Sequence, residues 1–112
     1  MAIEIERRHS PSAGRVVEIP VVRTKYMYFE KEIDYTGRTE RWTVCNNQSH
    51  EPLGLIQWYG AWRQYVFEPD DGSIIFNNSC LRIIEDFLTD LNIKQRDKFR
   101  QRVITPLQPT LS

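Results

Sequence analysis

The most informative stretch of this 112-residue sequence runs from Leu53 to Phe67 and reads LGLIQWYGAWRQYVF. Two runs of alternating apolar and polar residues flank the Gly-Ala dipeptide at 60–61, which is the pattern of a β-hairpin. Glycine at the first central position favours a two-residue type II′ turn. Counting outward from that turn pairs Tyr59 with Trp62 and predicts two faces of different chemistry.

One predicted hairpin face is apolar and carries Ile56, Trp58, Tyr65 and Phe67. The other face mixes aromatic rings with amides and carries Leu55, Gln57, Tyr59, Trp62, Gln64 and Val66. Such a mixed face can stack a nucleobase or grip a peptide, unless other strands or a second subunit cover it. Because three tryptophans in so small a chain are mostly needed in a core, we expect the N-terminal strands to cover it.

Further strand signals precede and follow the hairpin. The β-branched residues of 15–22 predict a strand, and Pro20 places it at a sheet edge or ends it there. Alternating patterns predict strands within 25–33 and 40–46, and a short apolar run favours a brief strand over 73–76.

The strongest helix signal follows Asn77, which is a natural N-cap. Apolar residues then recur at helical spacing, namely Cys80, Leu81, Ile84, Phe87, Leu88 and Leu91. The segment 94–104 either extends this helix or forms a second helix after a break near Asn92.

Strands first and a helix last predict an α+β fold, an antiparallel sheet of about four to five strands with a C-terminal helix packed on one face. The apolar hairpin face is expected to receive Ile84, Phe87 and Leu91. Residues 1–14 lack periodicity and end in turn formers, so we expect a flexible arm there. A single domain over 15–104 and a C-terminal tail over 105–112 complete the predicted organisation.

Composition excludes several classes of protein. An aromatic content of 12% is too high for a disordered chain, and no apolar run approaches the roughly 18 residues of a membrane-spanning helix. With 15 Lys and Arg against 15 Asp and Glu, the chain is also not an indiscriminate binder of polyanions.

The neutral total conceals an uneven distribution of charge. Through Leu91 there are 10 basic and 14 acidic residues, whereas from Asn92 onward there are five basic residues and one acidic residue. A net charge of −4 is thus followed by one of +4. The basic segment is either an interaction tail or a solvated helical face that complements the acidic body.

The cellular compartment follows from two further features. The N-terminal residues show neither a secretory signal nor a transit peptide, so we expect a cytoplasmic protein. Cys45 and Cys80, the two cysteines of the chain, are then expected to be small buried thiols rather than a disulfide.

The pattern LGxIxWYxxWRQYxFxP at 53–69, followed by a helix that contains Cys80 and Leu81, resembles short uncharacterised proteins carried by phages and other mobile elements. The resemblance covers about half of the chain, from Trp42 to Asn92. It implies a setting, an accessory or host-directed protein, and no mechanism.

Metal and nucleophile chemistry find little support in the sequence. The nearest grouping of metal-ligand types is Cys45, His50 and Glu51, with Cys80 able to join only through the fold. A cysteine nucleophile needs a nearby base, and His50 and a histidine in the expected arm are the two histidines present. We therefore expect no metal site and no Cys-His pair.

Hydrolytic and phosphate-binding chemistry are also not indicated. The adjacent carboxylates Asp70-Asp71 and Glu85-Asp86 do not fix a facing acid and base. The five glycines stand apart from one another, so there is no glycine-rich phosphate loop. We predict neither an enzyme nor a bound cofactor.

We predict a small non-catalytic binding module, a phage or mobile-element accessory protein that engages a protein partner or a second copy of itself. The sheet face, an exposed edge strand or the C-terminal helix would form the contact. The alternative is a nucleic-acid-binding protein that stacks bases on Tyr59 or Trp62 and neutralises phosphates with the basic helix. The candidate binding residues are Gln57, Tyr59, Trp62, Gln64, Arg96, Lys98, Arg100 and Arg102.

Overall fold

The computed structural model describes residues 2–10 and 14–104, with side chains as far as Arg100. Six antiparallel strands form one sheet in the order of the sequence, and one helix follows them. The elements are β1 Glu4–Ser10, β2 Arg15–Arg23, β3 Met27–Lys31, β4 Trp42–Asn46, β5 Pro52–Tyr59, β6 Gln64–Pro69 and α1 Asn78–Ile104. The predicted α+β architecture is confirmed, with a slightly higher strand count.

The additional strand is β1, which lies in the segment expected to be a flexible arm. It pairs with β2 along its whole length, and the Gly14 N–H donates to the Ser10 carbonyl at 2.8 Å. Ser10 and Gly14 thus belong to a hairpin connection rather than to the end of an arm. The predicted tail over 105–112 lies outside the described residues.

Pro20 does not place its strand at the edge of the sheet, because β2 has β1 on one side and β3 on the other. The pairing of β2 with β3 begins only at Val21, opposite Glu30. Proline has no N–H to donate, so it lies where that ladder ends.

The expected brief strand over 73–76 is absent from the structure, which shows a turn and a loop there. The Asp71 carboxylate accepts a hydrogen bond from the Ser73 N–H at 2.6 Å. This local turn competes with strand pairing.

A single helix spans 78–104, so the second of the two alternatives for 94–104 is wrong. Asn77 is the predicted N-cap: its side-chain oxygen accepts from the Cys80 N–H at 2.9 Å. Within the described residues, no helix combines the length and the apolar character needed to cross a membrane.

The main core lies between α1 and one face of the sheet. The Phe87 ring stacks on Phe29 with centroids 4.1 Å apart and meets the Trp42 ring edge to face at 5.0 Å. The buried residues of this core are Val22, Met27, Phe29, Trp42, Val44, Ile56 and Tyr65 from the sheet and Ile84, Phe87 and Leu91 from the helix. The helix therefore covers the apolar hairpin face as predicted.

The β5–β6 hairpin differs from its predicted register by two residues. Tyr59 pairs with Gln64, so the loop has four residues, from Gly60 to Arg63. The Trp62 and Arg63 N–H groups donate to the carbonyls of Tyr59 and Gly60, and Arg63 adopts a φ of 54°. A shift of two residues preserves the side-chain alternation, so the strand residues keep their predicted faces.

The opposite face of the sheet carries a smaller apolar cluster, Val21, Tyr28 and Cys45. Ion pairs accompany it: Arg8 bonds to Glu6 at 2.8 Å and also to Glu30, and Arg23 bonds to Glu6 at 2.6 Å. Charged side chains thus accompany the small cluster on the face away from the helix, whereas the face under the helix is apolar.

Candidate functional site

A cleft of about 430 Å³ opens between the end of the β5–β6 hairpin and α1. It is lined by two aromatic residues, Trp58 and Phe99, two arginines, Arg63 and Arg96, three amides, Gln64, Asn92 and Gln95, and the hydroxyl residue Thr89. We call it the hairpin-helix cleft. Its size lies in the range of small-ligand and side-chain pockets.

The cleft exists because the inner stripe of α1 changes character along the helix. Ile84, Phe87 and Leu91 are buried in the core, but the residue that follows Leu91 by four positions on that side is Gln95, which lines the cleft. Thr89, Asn92, Arg96 and Phe99 follow one another at spacings of three, four and three residues, so they share one side of the helix. These residues line a cleft at the hairpin end, whereas the earlier turns of α1 pack against the sheet.

Asn92 fixes the position of the helix against the hairpin. Its side-chain oxygen accepts the Tyr65 N–H at 2.7 Å. Tyr65 is itself buried, and its hydroxyl accepts the Glu40 N–H at 2.9 Å. Because Trp58 meets the Tyr65 ring edge to face at 5.3 Å, this chain of contacts also positions the Trp58 wall of the cleft.

Two large aromatic side chains lie in the open at the end of the hairpin, adjacent in sequence to the cleft residues Trp58 and Arg63. Tyr59 is 42% exposed and Trp62 is 65% exposed, and their rings meet edge to face at 4.9 Å. The expectation that the N-terminal strands cover this face is wrong, because β1 and β2 lie at the other edge of the sheet. Trp62 belongs to the four-residue loop that also carries Arg63, and not to the strand.

The remaining candidate residues divide between the cleft and other places. Gln64 and Arg96 line the cleft. Lys98 and Arg100 are exposed on α1, and the side chain of Arg102 lies outside the described residues. Gln57 is turned away, since its amide donates to the Glu68 carboxylate at 3.0 Å.

Sequence reasoning missed six residues of the site, namely Trp58, Arg63, Thr89, Asn92, Gln95 and Phe99. Trp58 was assigned to the apolar face alone, and Arg63 to a strand rather than to the loop. The signal for Asn92 and Gln95 was present: they follow Leu88 and Leu91 by four residues each, so polar side chains replace apolar ones at the core spacing, and such a change marks the end of a packed interface.

The cysteine and histidine candidates lie elsewhere. Desolvation by burial raises the pKa of the Cys45 thiol, which keeps it protonated rather than reactive. His50 Nδ1 lies 3.1 Å from the Tyr28 hydroxyl, and both cysteines are free. Within residues 2–10 and 14–104, no group of three or more His, Cys, Asp or Glu residues is arranged to hold a metal ion.

Comparison with known proteins identifies no relative. A scan against family models, a search of curated proteins and a search of solved structures each found no match. The resemblance of 53–69 to phage and mobile-element proteins therefore stays a prediction, and the cleft is interpreted from its own chemistry.

Proposed function

We propose that this protein is a small non-catalytic module that binds a protein partner at the hairpin-helix cleft. The observation that supports this most directly is that the hairpin end with the exposed Trp62-Tyr59 pair also supplies Trp58, Arg63 and Gln64 to the cleft. Tryptophan, tyrosine and arginine are the side chains that carry most of the binding energy in protein interfaces. Rings of this size gain most when a partner removes them from water.

The charge of the cleft indicates the kind of partner. Arg63 and Arg96 line it, and no carboxylate belongs to its described lining. Trp58 and Phe99 provide apolar walls for an inserted side chain. A segment that carries an apolar anchor next to Asp or Glu would complement both features.

The side-chain types of the cleft support a binding role over catalysis. None of its lining residues is a histidine, cysteine or carboxylate, the groups that most often exchange protons near neutral pH. The two free thiols favour a reducing compartment, and we place the protein in the cytoplasm. The phage or mobile-element setting rests on the resemblance at 53–69.

The test compares variants of the cleft with a matched aromatic control. Candidate partners are captured from a host-cell extract by the immobilised protein, purified, and measured by calorimetry against each variant. We expect Trp62→Ala and Arg96→Glu to weaken binding by about tenfold or more. Tyr35→Ala, which removes an exposed aromatic side chain on the β3–β4 loop, should leave it unchanged.

Unchanged affinity in both cleft variants would refute the proposed site. Failure of the wild-type protein to retain any partner that also binds in purified form would refute the protein-binding function itself.

A nucleic-acid partner is the second candidate, favoured by the exposed Tyr59 and Trp62 rings at the end of the molecule where Arg63 and Arg96 lie. Bases would stack on the rings while the cations neutralise phosphates. Binding should then weaken steeply with salt. Absence of binding to single- and double-stranded DNA and RNA at low salt would eliminate this function.

A further inference from the structure

The two edges of the sheet differ in how far their backbone groups are protected from pairing with another strand. At the β6 edge, α1 packs alongside the strand and Asn92 bonds the Tyr65 N–H. Pro69, at the end of the same strand, has no N–H to expose. The β6 edge is thus protected from pairing with another strand by a helix, a side chain and a proline.

Among the described residues, no strand pairs with the outer edge of β1, which has an open row of backbone groups. The Thr24 N–H donates to the Met27 carbonyl. The backbone N–H and C=O groups of Thr24, and of every second residue before it, therefore point toward β3. The residues between them pair with Glu4, Glu6, Arg8 and Ser10, and their backbone groups point toward β1. By the same alternation, the N–H and C=O groups of Ile5, Arg7 and His9 point away from β2 and face outward.

The charges of β1 are segregated along the strand. Glu4 and Glu6 occupy its first half, and Arg7 and Arg8 its second half. Two copies of such a strand attract each other when they run antiparallel and repel each other when they run parallel.

We propose that β1 pairs antiparallel with β1 of a second copy, across a two-fold axis perpendicular to the sheet at Arg7. The two sheets then form one sheet of twelve strands, six from each copy. In this register each Glu6 lies opposite Arg8 of the other copy, and the outward groups of Ile5 meet those of His9 of the other copy.

Neighbouring registers place like charges opposite each other at less exposed positions. An axis at Glu6 places the two Glu6 carboxylates opposite each other, and an axis at Arg8 does the same for two guanidinium groups. In the register centred on Arg7, the two Arg7 side chains face each other. The Arg7 side chain is 77% exposed, so solvent and salt screen this repulsion, whereas Glu6 and Arg8 are 32% and 36% exposed.

Apolar side chains next to the edge favour the same contact. Ile5 is 57% exposed and Val16 is 58% exposed, both on the helix side of the β1–β2 hairpin. The two-fold axis brings two copies of this uncovered strip together between the two helices. A short strand pair buries less than a standard interface, so we expect a dissociation constant on the order of micromolar.

This self-association goes beyond the proposed function, since it uses the sheet edge opposite to the cleft. The two proposals therefore fail independently. Variants of β1 test the dimer, and variants of Trp62 or Arg96 test the cleft.

The first test measures mass by sedimentation velocity between about 1 μM and about 1 mM. Wild type and Arg7→Ala should shift from monomer to dimer over this range. Arg7→Pro should remain a monomer, because proline removes an outward N–H but no hydrogen bond to β2. A thermal melt of Arg7→Pro shows whether the variant is folded.

A second test fixes the register by disulfide trapping and does not depend on the proline variant. In a Cys80→Ser background, Arg7→Cys should cross-link to itself, because directly opposed Cα atoms of a bonded pair lie about 5.5 Å apart. Ile5→Cys alone should not, since its two copies would be about 13 Å apart along the strands. A mixture of Ile5→Cys and His9→Cys chains should cross-link.

A wild-type protein that is monomeric at every concentration would overturn the proposal and leave the β1 edge to a strand from another protein. Equal cross-linking of Ile5→Cys and Arg7→Cys would overturn the register.

Discussion

Gly54 lies at a close approach between the two strands of the hairpin. A Cβ atom at this position would lie 2.5 Å from the backbone oxygen of Glu68 and 2.5 Å from the Phe67 ring. The Phe67 ring leans diagonally across β5 onto the glycine, an arrangement by which aromatic residues cover glycines in antiparallel sheets. The need for glycine here comes from this close approach.

We expect Gly54→Ala to destabilise the protein by about 1 to 3 kcal/mol, because backbone or ring must move to admit the methyl group. Gly60→Ala is the matched control, since nothing lies within 4 Å of a Cβ there. Urea unfolding followed by tryptophan fluorescence measures both. Equal midpoints for the two variants would contradict the close packing at Gly54.

Glu6 is a carboxylate whose ionisation is coupled to the fold through two arginines. Its hydrogen bond from Arg8 lowers the pKa of its carboxyl below the ordinary value of 4.5, and Arg23 adds to this effect. A carboxyl with a lowered folded pKa stabilises the protein above its unfolded pKa. That stabilisation is lost as the pH falls through the lowered value.

The free energy of unfolding should therefore fall below about pH 4.5 more steeply in the wild type than in Glu6→Gln. Chemical unfolding at a series of pH values measures the difference. Glu18→Gln, which removes an exposed carboxylate on the neighbouring strand, corrects for the loss of one charge. Parallel pH profiles for wild type and Glu6→Gln would show that the Arg8 contact does not stabilise the fold.

At the scale of the elements, alternation predicted which side chains share a face but not how the strands are joined. The predicted assignment of strand side chains to two faces over 53–67 was right because the side-chain period of a strand is two. The register was wrong because the turn depends on Arg63 adopting a positive φ, which local propensity does not favour. Pairing across a hairpin is set by its turn, and here the turn is not the one that Gly60 suggested.

The strand β1 was missed for a different physical reason. Neither of its faces is buried, so its residues show no apolar period that burial would impose. Its place in the sheet comes from backbone pairing with β2 and from ion pairs such as that of Arg8 with Glu30. Edge strands of this kind are visible only once their neighbour is known.

The helix was predictable in its start and its core contacts, and less so in its function. Asn77 and the apolar spacing to Leu91 are local signals. The cleft beyond them depends on where the hairpin ends relative to Asn92, and that distance is a property of the fold. The site was therefore predicted in part: Gln64 and Arg96 were named, while its aromatic walls were not.

At the scale of the whole molecule, the uneven charge corresponds to a division of the structure. The acidic body comprises the sheet and the first turns of α1, whereas the basic residues lie on the helix beyond Leu91. That region is where the buried pattern of the helix ends and the cleft opens. Of the basic residues beyond Leu91, Arg96 lines the cleft together with Arg63 of the hairpin loop.

The sheet and helix share one main core, so the protein should unfold as one unit. Phe87, 4% exposed, joins the helix to the rings of Phe29 and Trp42, whereas Phe99 on the same helix is 57% exposed. We expect Phe87→Ala to cost about 3 to 5 kcal/mol, a large part of the stability of a domain this size. Phe99→Ala should change stability by less than about 1 kcal/mol, because its ring lines an open cleft.

Two spectroscopic probes test whether the protein unfolds in a single transition. Far-UV circular dichroism follows the helix, and tryptophan fluorescence reports on Trp42 beneath it, so the two melting curves of Phe87→Ala should coincide at a lowered Tm. Two different midpoints for the two probes would mean that the helix and the sheet unfold in separate steps. In that case the hairpin-helix cleft would be a contact between separately stable parts, and partner binding would have to order it.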